Sequence, residues 1–382
     1  MVLLTLCQGN GRERMKYFKN LFKGVDKPLY LMPIVLFIIS MLMMLSTSYD
    51  NGIVISKTVI IQGVAYVLGL FVVIFLSRMD YEVFRDIKLQ LYIGSIIFLL
   101  LVYVPGLGLE LNGARSWINL RVTTFQPSEL VKITFIILMA DYFQRHKSDL
   151  FTFGGVFKSA LYGAPFILII LKDDLGSALV FMVIWVVMVF YAGIGYKLFA
   201  ELAGIVCLCI PVAYRFLDTY QQNRITAFLH PDNLTLQGNY QVWQSKVAIG
   251  SGGFFGKGLF QGTQKALDFL PVSNSDYIFA VVCEEMGFIG GAVVIAAYSY
   301  FIFGMTRVAV RTKDDYAALI VIGIIAMFTF QIFENIAMTM GLMPATGITL
   351  PFLSYGGSSI VCCMIALGLV INISLKTRDI TF

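Results

Sequence analysis

Charge is scarce in this chain of 382 residues: only 13% are Asp, Glu, Lys or Arg, against roughly 25% in an ordinary soluble domain. That excludes the two or three water-soluble domains this length would otherwise allow. Histidine is scarcer still. His146 and His230 are the only two, too few for a multi-histidine metal centre. The six cysteines are Cys7 near the amino terminus, Cys207 with Cys209, Cys283, and Cys362 with Cys363, all but the first in apolar runs. They give no secreted disulfide framework and read as free thiols packed as small hydrophobes. A cleavable signal peptide is also missing, because the apolar piece MVLLTLC precedes its basic residues instead of following them. Met15 opens MKYFKNLFK, a more usual basic lead, so Met15 competes with Met1 as the translation start; intact mass distinguishes the two.

What the chain has in abundance is apolar length. Hydrophobic residues make up 58% of it, in runs long enough to cross a bilayer. The expected fold is an all-α polytopic membrane protein. Spans are read at 29–47, 58–77, 88–104, 127–143, 155–171, 175–193, 196–214, 276–303, 318–340 and 354–375. Residues 1–28 form a basic tail, 29–375 the ten-span membrane domain, and 376–382 a second tail. Lys and Arg crowd the first tail and every second short loop: Arg78, Arg85 and Lys88; Arg145, Lys147 and Lys158; Arg307, Arg311 and Lys313. Positive charge marks the cytoplasmic side, which places both termini in the cytoplasm. The long connection 215–275 then lies outside and precedes the eighth span. Its aromatic content points to order, with amphipathic helices at the membrane interface. No strong internal repeat is evident, which disfavours an inverted-repeat transporter.

Four constellations carry candidate chemistry. Asp276 opens the eighth span, where an acid either caps the helix or acts as a general base at the membrane surface. Glu284, eight residues on, lies about 12 Å further along a helix, beyond the roughly 5–9.5 Å of a glycosidase carboxylate pair. Glu284 and Glu285 therefore read as a buried polar network. In NGARSWINLRVTTFQPSELVK, Pro127 starts a helix, and Glu129 and Lys132 share one face three residues apart. They are either a structural ion pair or the lining of a substrate cavity. Arg115 and Arg121 precede them on the outer side, where a guanidinium suits a phosphate and a solvated loop charge is the alternative. Asp173 and Asp174 occupy a short outer turn, as cation ligands or as solvated acids. Finally, GLMPATGITLPFLSYGGSS packs prolines and glycines before the last span, including Ser354, Gly356 and Gly357. Irregular backbone at membrane depth is tolerated where it is buried or lines a cavity. SGGFFGKG imitates a phosphate loop, but Ser251 replaces its first glycine and Gly258 its magnesium-binding hydroxyl.

The motifs RSWINL…FQPSELVK, DLGSALV, RITAFLHPD, AIGSGGFFGKGLFQGTQ, FLP…SDYIFAVVCEEMG and ENIAMTMGLMPATGI…LPFLSYGGSS occur in that order. Together they resemble the SEDS family (shape, elongation, division and sporulation), which includes RodA, FtsW and SpoVE. GKGLFQGTQ and PATGI look most like the RodA branch. The resemblance implies a peptidoglycan glycosyltransferase that polymerises lipid II at the outer face of the bacterial cytoplasmic membrane. It implies a class B penicillin-binding protein as partner and no nucleic acid. A divalent cation, Mg or Mn, is compatible with the resemblance, though its ligands are not defined by the sequence. The family's essential aspartate falls on Asp276, its charged pair on Glu129 and Lys132, and its DLG acid on Asp174. Arg224, in RITAFL, and Lys246 join Arg115, Arg121 and Lys132 as candidate cations for the departing diphosphate. Asn274 and Ser275 stand where the family has histidine and threonine, Asp173 where it commonly has proline, and Thr349 interrupts its GIPLP. A mechanism needing that histidine is not available to this chain. The rivals are a lipid II flippase, which moves lipid without making polymer, and a scaffold for which Asp276 is dispensable.

Overall fold

Long apolar runs become helices in lipid because every backbone N–H and C=O must find its partner within the segment. The computed structural model describes residues 25–49, 55–111, 114–119, 124–215, 217–236, 238–267, 269–270 and 273–379, and each expected span coincides with a helix in it. In chain order, α1 is Lys27–Thr47, α2 Lys57–Leu76, α3 the single turn Val83–Asp86, and α4 Lys88–Leu100, continued as a 3-10 turn to Tyr103. A small sheet follows: β1 Gly108–Leu111, β2 Ala114–Asn119 and β3 Thr124–Phe125, antiparallel and in that order. Then come α5 Pro127–Arg145, α6 Phe153–Leu171, α7 Leu175–Ala192 and α8 Tyr196–Tyr214. The long connection contains α9 Thr219–Leu229, α10 Asn239–Ser251 and α11 Thr263–Ala266, and the chain finishes with α12 Ile278–Arg311, α13 Asp315–Thr339 and α14 Gly357–Asp379. Among the described residues, seven helices are long and apolar enough to cross a membrane: α1, α2, α6, α7, α12, α13 and α14. Of the other expected spans, α4 is a shorter apolar helix, α5 carries Glu129, Lys132, Asp141 and Arg145, and α8 has Lys197 and Glu201 in its first turns.

The sheet is the departure from an all-helical reading. It inserts between α4 and α5, with Gly108 opposite Ile118 and Ile118 opposite Phe125. The long connection is ordered, as expected, but α10 is more than an interfacial helix. It packs against α12 and α13, and Ser245 Oγ donates to the carbonyl of Thr339 at 2.8 Å.

The basic loops gather at the far end of α12 from Asp276. There Arg311 meets Asp26 at 3.4 Å, Lys147 meets Asp315 at 2.7 Å, Arg85 meets Asp314 at 4.0 Å, and Lys376 pairs with Asp80. These pairs are partly solvated and contribute little stability each. Their meaning is topological, because they bring together loops that carry the same charge signature.

α12 is broken at Gly287, whose φ of 68° and ψ of −163° lie outside the helical region, in backbone space open essentially to glycine alone. A Cβ there would sit 2.3 Å from the Gly256 nitrogen and 2.5 Å from the Phe254 carbonyl oxygen. The long connection supplies partners for the freed backbone. Lys257 and Gly258 N–H donate to the carbonyls of Glu284 and Glu285 at 2.9 and 3.0 Å, and Phe288 N–H donates to Gly253 at 2.9 Å. Glu284 and Glu285 are fully buried beside the break. Glu284 accepts from Lys257 Nζ at 2.7 Å and from the N–H groups of Thr263 and Gln264 at 2.8 and 3.1 Å. Glu285 pairs with Lys265.

The irregular stretch before α14 is satisfied in the same way. Tyr298 donates to the Pro351 carbonyl at 2.5 Å, Ser40 to Leu353 at 2.8 Å and Gln62 to Ser354 at 3.0 Å; Tyr66 donates to Phe352. Side chains from α1, α2 and α12 thus take up carbonyls that lipid would leave orphaned.

Candidate active site

Five stretches far apart in sequence meet at the amino-terminal end of α12: the sheet with the start of α5, the start of α7, α9, Ser275–Asp276, and the irregular segment up to the start of α14. They enclose a cavity of about 250 Å³ whose lining includes Trp117, Glu129, Lys132, Asp174, Arg224, Asp276, Gly356 and Gly357.

Asp276 does not cap the helix it precedes. The first position of α12 follows Tyr277, and no side-chain cap bond is made there. The Asp276 carboxylate accepts from Ser275 Oγ at 3.1 Å, and its backbone carbonyl accepts from Asn335 Nδ2 at 2.9 Å. Gly347 presents a φ of +75° at the same spot. A Cβ on it would lie 3.5 Å from Asp276 Oδ2 and 3.9 Å from an Arg224 nitrogen, so the bare backbone keeps open the space that the acid and the guanidinium share. Burial pushes the Asp276 carboxyl above the ordinary carboxylate range, and the Ser275 hydroxyl and Arg224 charge oppose that shift. Ser275, which departs from the family threonine, still supplies the hydroxyl.

Arg224 stacks 4.6 Å over the Tyr220 ring and also donates to the Tyr220 hydroxyl. It belongs to two cavities. The second is a cleft of about 30 Å³ that Arg224 shares with Lys246, with no acid among its lining residues. Lys246 is therefore next to the main cavity and not inside it. Glu129 and Lys132 are buried and paired at 2.7 Å, and both line the main cavity, so the ion pair and the cavity lining are one arrangement.

Asp174 caps α7 by accepting from Ser177 N–H at 2.9 Å and Ser177 Oγ at 2.7 Å, and it receives Gln126 Nε2 at 2.9 Å. Asp173 takes the Tyr103 hydroxyl. Both acids are thus committed to protein donors, which corrects the picture of a solvated turn. Among the described residues no group of three or more His, Cys, Asp or Glu side chains is disposed to hold a metal ion.

Two further expected substrate contacts fall outside the main cavity. Arg115 lines a separate cleft of about 30 Å³ with Tyr103 and Asp173. Ser354 is buried behind the cavity wall, donating to the Ser275 carbonyl at 2.6 Å and accepting from Leu350 N–H at 2.9 Å. It therefore holds the backbone next to Asp276 and does not face a ligand. Arg121 lies outside the described residues. Trp117, which lines the cavity from the sheet, and Glu334, fully buried on α13, are not among the residues expected from the sequence.

The fold and cavity define a multi-pass membrane protein with a polar, acid-bearing chamber at one end of its bundle. The family model for the FtsW, RodA and SpoVE cell cycle proteins matches residues 27–379, and the chain belongs to that family. It is 35% identical to a probable peptidoglycan glycosyltransferase FtsW of Geobacter sp. (strain M18), over 93% of this chain and 98% of the relative. It is 36% identical to stage V sporulation protein E of Bacillus subtilis (strain 168), over 81% and 85%. Among solved structures, a chain described under the structural coordination of polymerization and crosslinking by a peptidoglycan synthase complex superposes with a TM-score of 0.77 at 27% identity, covering 93% of this chain and 98% of that one. The rod shape determining protein RodA of Thermus thermophilus superposes with a TM-score of 0.65 at 26% identity, covering 93% and 97%.

Proposed function

We propose that this chain is a peptidoglycan glycosyltransferase that polymerises lipid II at the outer face of the bacterial cytoplasmic membrane, with Asp276 as its general base. The observation that carries the reading is the juxtaposition at Gly347 of a half-buried carboxylate and a guanidinium within a chamber at one end of the bundle. The names of the FtsW relatives support the activity.

A lipid-linked diphosphate is already a good leaving group, so the transfer needs little general acid. Asp276 removes the proton from the acceptor sugar's hydroxyl as that oxygen bonds to the donor's anomeric carbon. The bond from that carbon to the diphosphate oxygen breaks, and Arg224 and Lys246, which share the adjoining cleft, face the charge that develops. Asp276 then gives the proton up to solvent. Trp117 offers an aromatic face to a sugar ring. A divalent cation, Mg²⁺ or Mn²⁺, would have to arrive on the donor's own phosphates, completed by one or two carboxylates.

The synthase complex among the structural neighbours supports a class B penicillin-binding protein as partner, and the gathered basic loops support cytoplasmic termini. GKGLFQGTQ and PATGI favour elongation, while FtsW and SpoVE relatives favour division or sporulation. Depletion in a rod-shaped host separates these roles: rounding marks elongation, filaments mark division, and a defect confined to spores marks sporulation.

The test is lipid II polymerisation by the purified protein with and without its partner, comparing wild type with Asp276→Ala. Glycan made by wild type and lost in a folded variant is expected. Equal polymer from both would remove Asp276 from the mechanism, and lipid transfer without polymer would favour a flippase.

A further inference from the structure

The segment Thr346–Thr349 forms the cavity wall beside Asp276, and two adjacent residues of α13 hold it. Asn335 donates through Nδ2 to the carbonyls of Asp276 at 2.9 Å and Ile348 at 2.7 Å. Glu334 accepts the Thr346 hydroxyl on Oε1. Its carboxyl is fully buried, and its second oxygen has no hydrogen-bond partner. Glu129, Glu284 and Glu285 are each paired with a lysine; among the described residues Glu334 forms no such pair. It lies within electrostatic reach of both Asp276 and Arg224. Thr346 is held from its other side by Gly176, where a methyl group would come within 3.0 Å of both Thr346 Cβ and its carbonyl oxygen. An acid buried at this depth with one hydrogen bond is unfavourable compared with leucine, and intramembrane acids of this kind mark function more often than packing.

We propose that Glu334 is a positioning residue for glycosyl transfer. Through Thr346 it fixes the Gly347 turn against Asp276 and Arg224, so that base and guanidinium keep their separation while the acceptor hydroxyl and the donor's diphosphate are brought to them. This rests on the assignment of Asp276 as the base. The Asn335 clamp fixes the backbone on both sides of the cavity, and Glu334 fixes the one side chain that leads into the turn.

The experiment measures steady-state lipid II polymerisation by the full chain with its partner transpeptidase. The variants are Glu334→Gln, Glu334→Leu, Thr346→Val, Thr346→Ser and Glu334→Leu/Thr346→Val, with Asp276→Asn alongside. The amide oxygen of Gln still accepts the Thr346 proton, so Glu334→Gln should stay within about threefold of wild type. Glu334→Leu and Thr346→Val should each lower kcat about tenfold to a hundredfold with KM nearly unchanged, because the reacting groups are displaced and not lost. Thr346→Ser should restore the rate. The double variant should be no worse than the worse single one.

Wild-type rates in Glu334→Leu and Thr346→Val, or additive losses in the double variant, would overturn the proposal. So would a Glu334→Gln as impaired as Glu334→Leu, since acidity would then matter and not the hydrogen bond. If melting curves show Glu334→Leu to be unfolded, the contrast between Thr346→Val and Thr346→Ser decides. An active Asp276→Asn would remove the base assignment and this inference with it. An inactive Asp276→Asn beside an unimpaired Thr346→Val would remove this inference alone.

Discussion

Lys265 is expected to be among the positions whose loss the fold tolerates least. Its ammonium pairs with Glu285 where the lysine side chain is 5% exposed and the glutamate 0%, and it donates to the Ser46 carbonyl at 2.9 Å. Ser46 Oγ lies 2.6 and 2.8 Å from the two Glu285 oxygens, and Phe260 N–H donates to Glu285 at 3.2 Å. Lys265→Met keeps the stem and removes the charge, which leaves a buried carboxylate with hydrogen bonds and no counter-ion. Breaking one partner of such a pair costs about 3–5 kcal/mol. The surviving donors place this case near the lower end, at about 3 kcal/mol. Lys265→Met/Glu285→Gln removes the orphaned charge and should recover at least about half of that loss. Thermal unfolding in detergent, followed by intrinsic tryptophan fluorescence, reads both values. A single variant that melts like wild type, or a double variant that melts at the additive position, would refute the reasoning.

Asp276→Asn should melt higher than wild type at neutral pH while losing polymerisation. The folded carboxyl binds its proton more tightly than the unfolded one, so ionised Asp276 opposes folding above its raised pKa. That opposition fades on acidification toward the unfolded carboxylate value of about 3.9, and the gap between the two melting curves should close with it. The same shift places the acid limb of the activity profile above the ordinary carboxylate range. Gly347→Ala forces a side chain into a left-handed turn, at about 1–2 kcal/mol, and narrows the gap beside Asp276; polymerisation should fall more than thermal stability does. Gly287→Ala meets backbone at 2.3 Å and should fail to yield folded protein, read as loss of the monodisperse peak in gel filtration. Lys246→Ala should raise the KM for lipid II, and raised salt should weaken wild type and variant to different degrees, since one phosphate contact is missing.

Most of the helical frame was legible because membrane spans declare themselves by length and apolarity alone, and α1, α2, α7 and α13 begin and end within a few residues of the expected limits, while α12 runs on past the expected 303 to Arg311. The sheet was less legible: Asn112-Gly113 between Leu109-Glu110-Leu111 and Trp117-Ile118 is a hairpin signal, but its strands are short beside the long apolar runs on either side. Asp276, Glu129 and Lys132 could be identified one by one, because charges are rare here, and Arg224 through the motif RITAFL. What joins them could not be read from the sequence, since the cavity is made where five distant stretches meet. Ser354 illustrates the limit: its place in a motif identified it as important, and only its two hydrogen bonds show that it serves the backbone. Glu334 could have been found, as a lone acid inside an apolar span. Whether Glu284 and Glu285 faced a partner depended on Lys257 and Lys265, which lie well upstream and whose approach is set by the break at Gly287.

That break also bears on biosynthesis. A helix with an opened turn is a poor passenger through a translocon, because the exposed N–H and C=O groups would enter lipid unsatisfied. Here the residues that close the gap, 253–265, are translated before Gly287. The ribosome therefore delivers the patch ahead of the hole it covers, and the two halves of α12 can settle against a surface already in place. A circular permutant that opened the chain between α11 and α12 would reverse that order while preserving every native contact. Its yield in the membrane would show how far vectorial synthesis, and not final stability, decides whether this helix inserts.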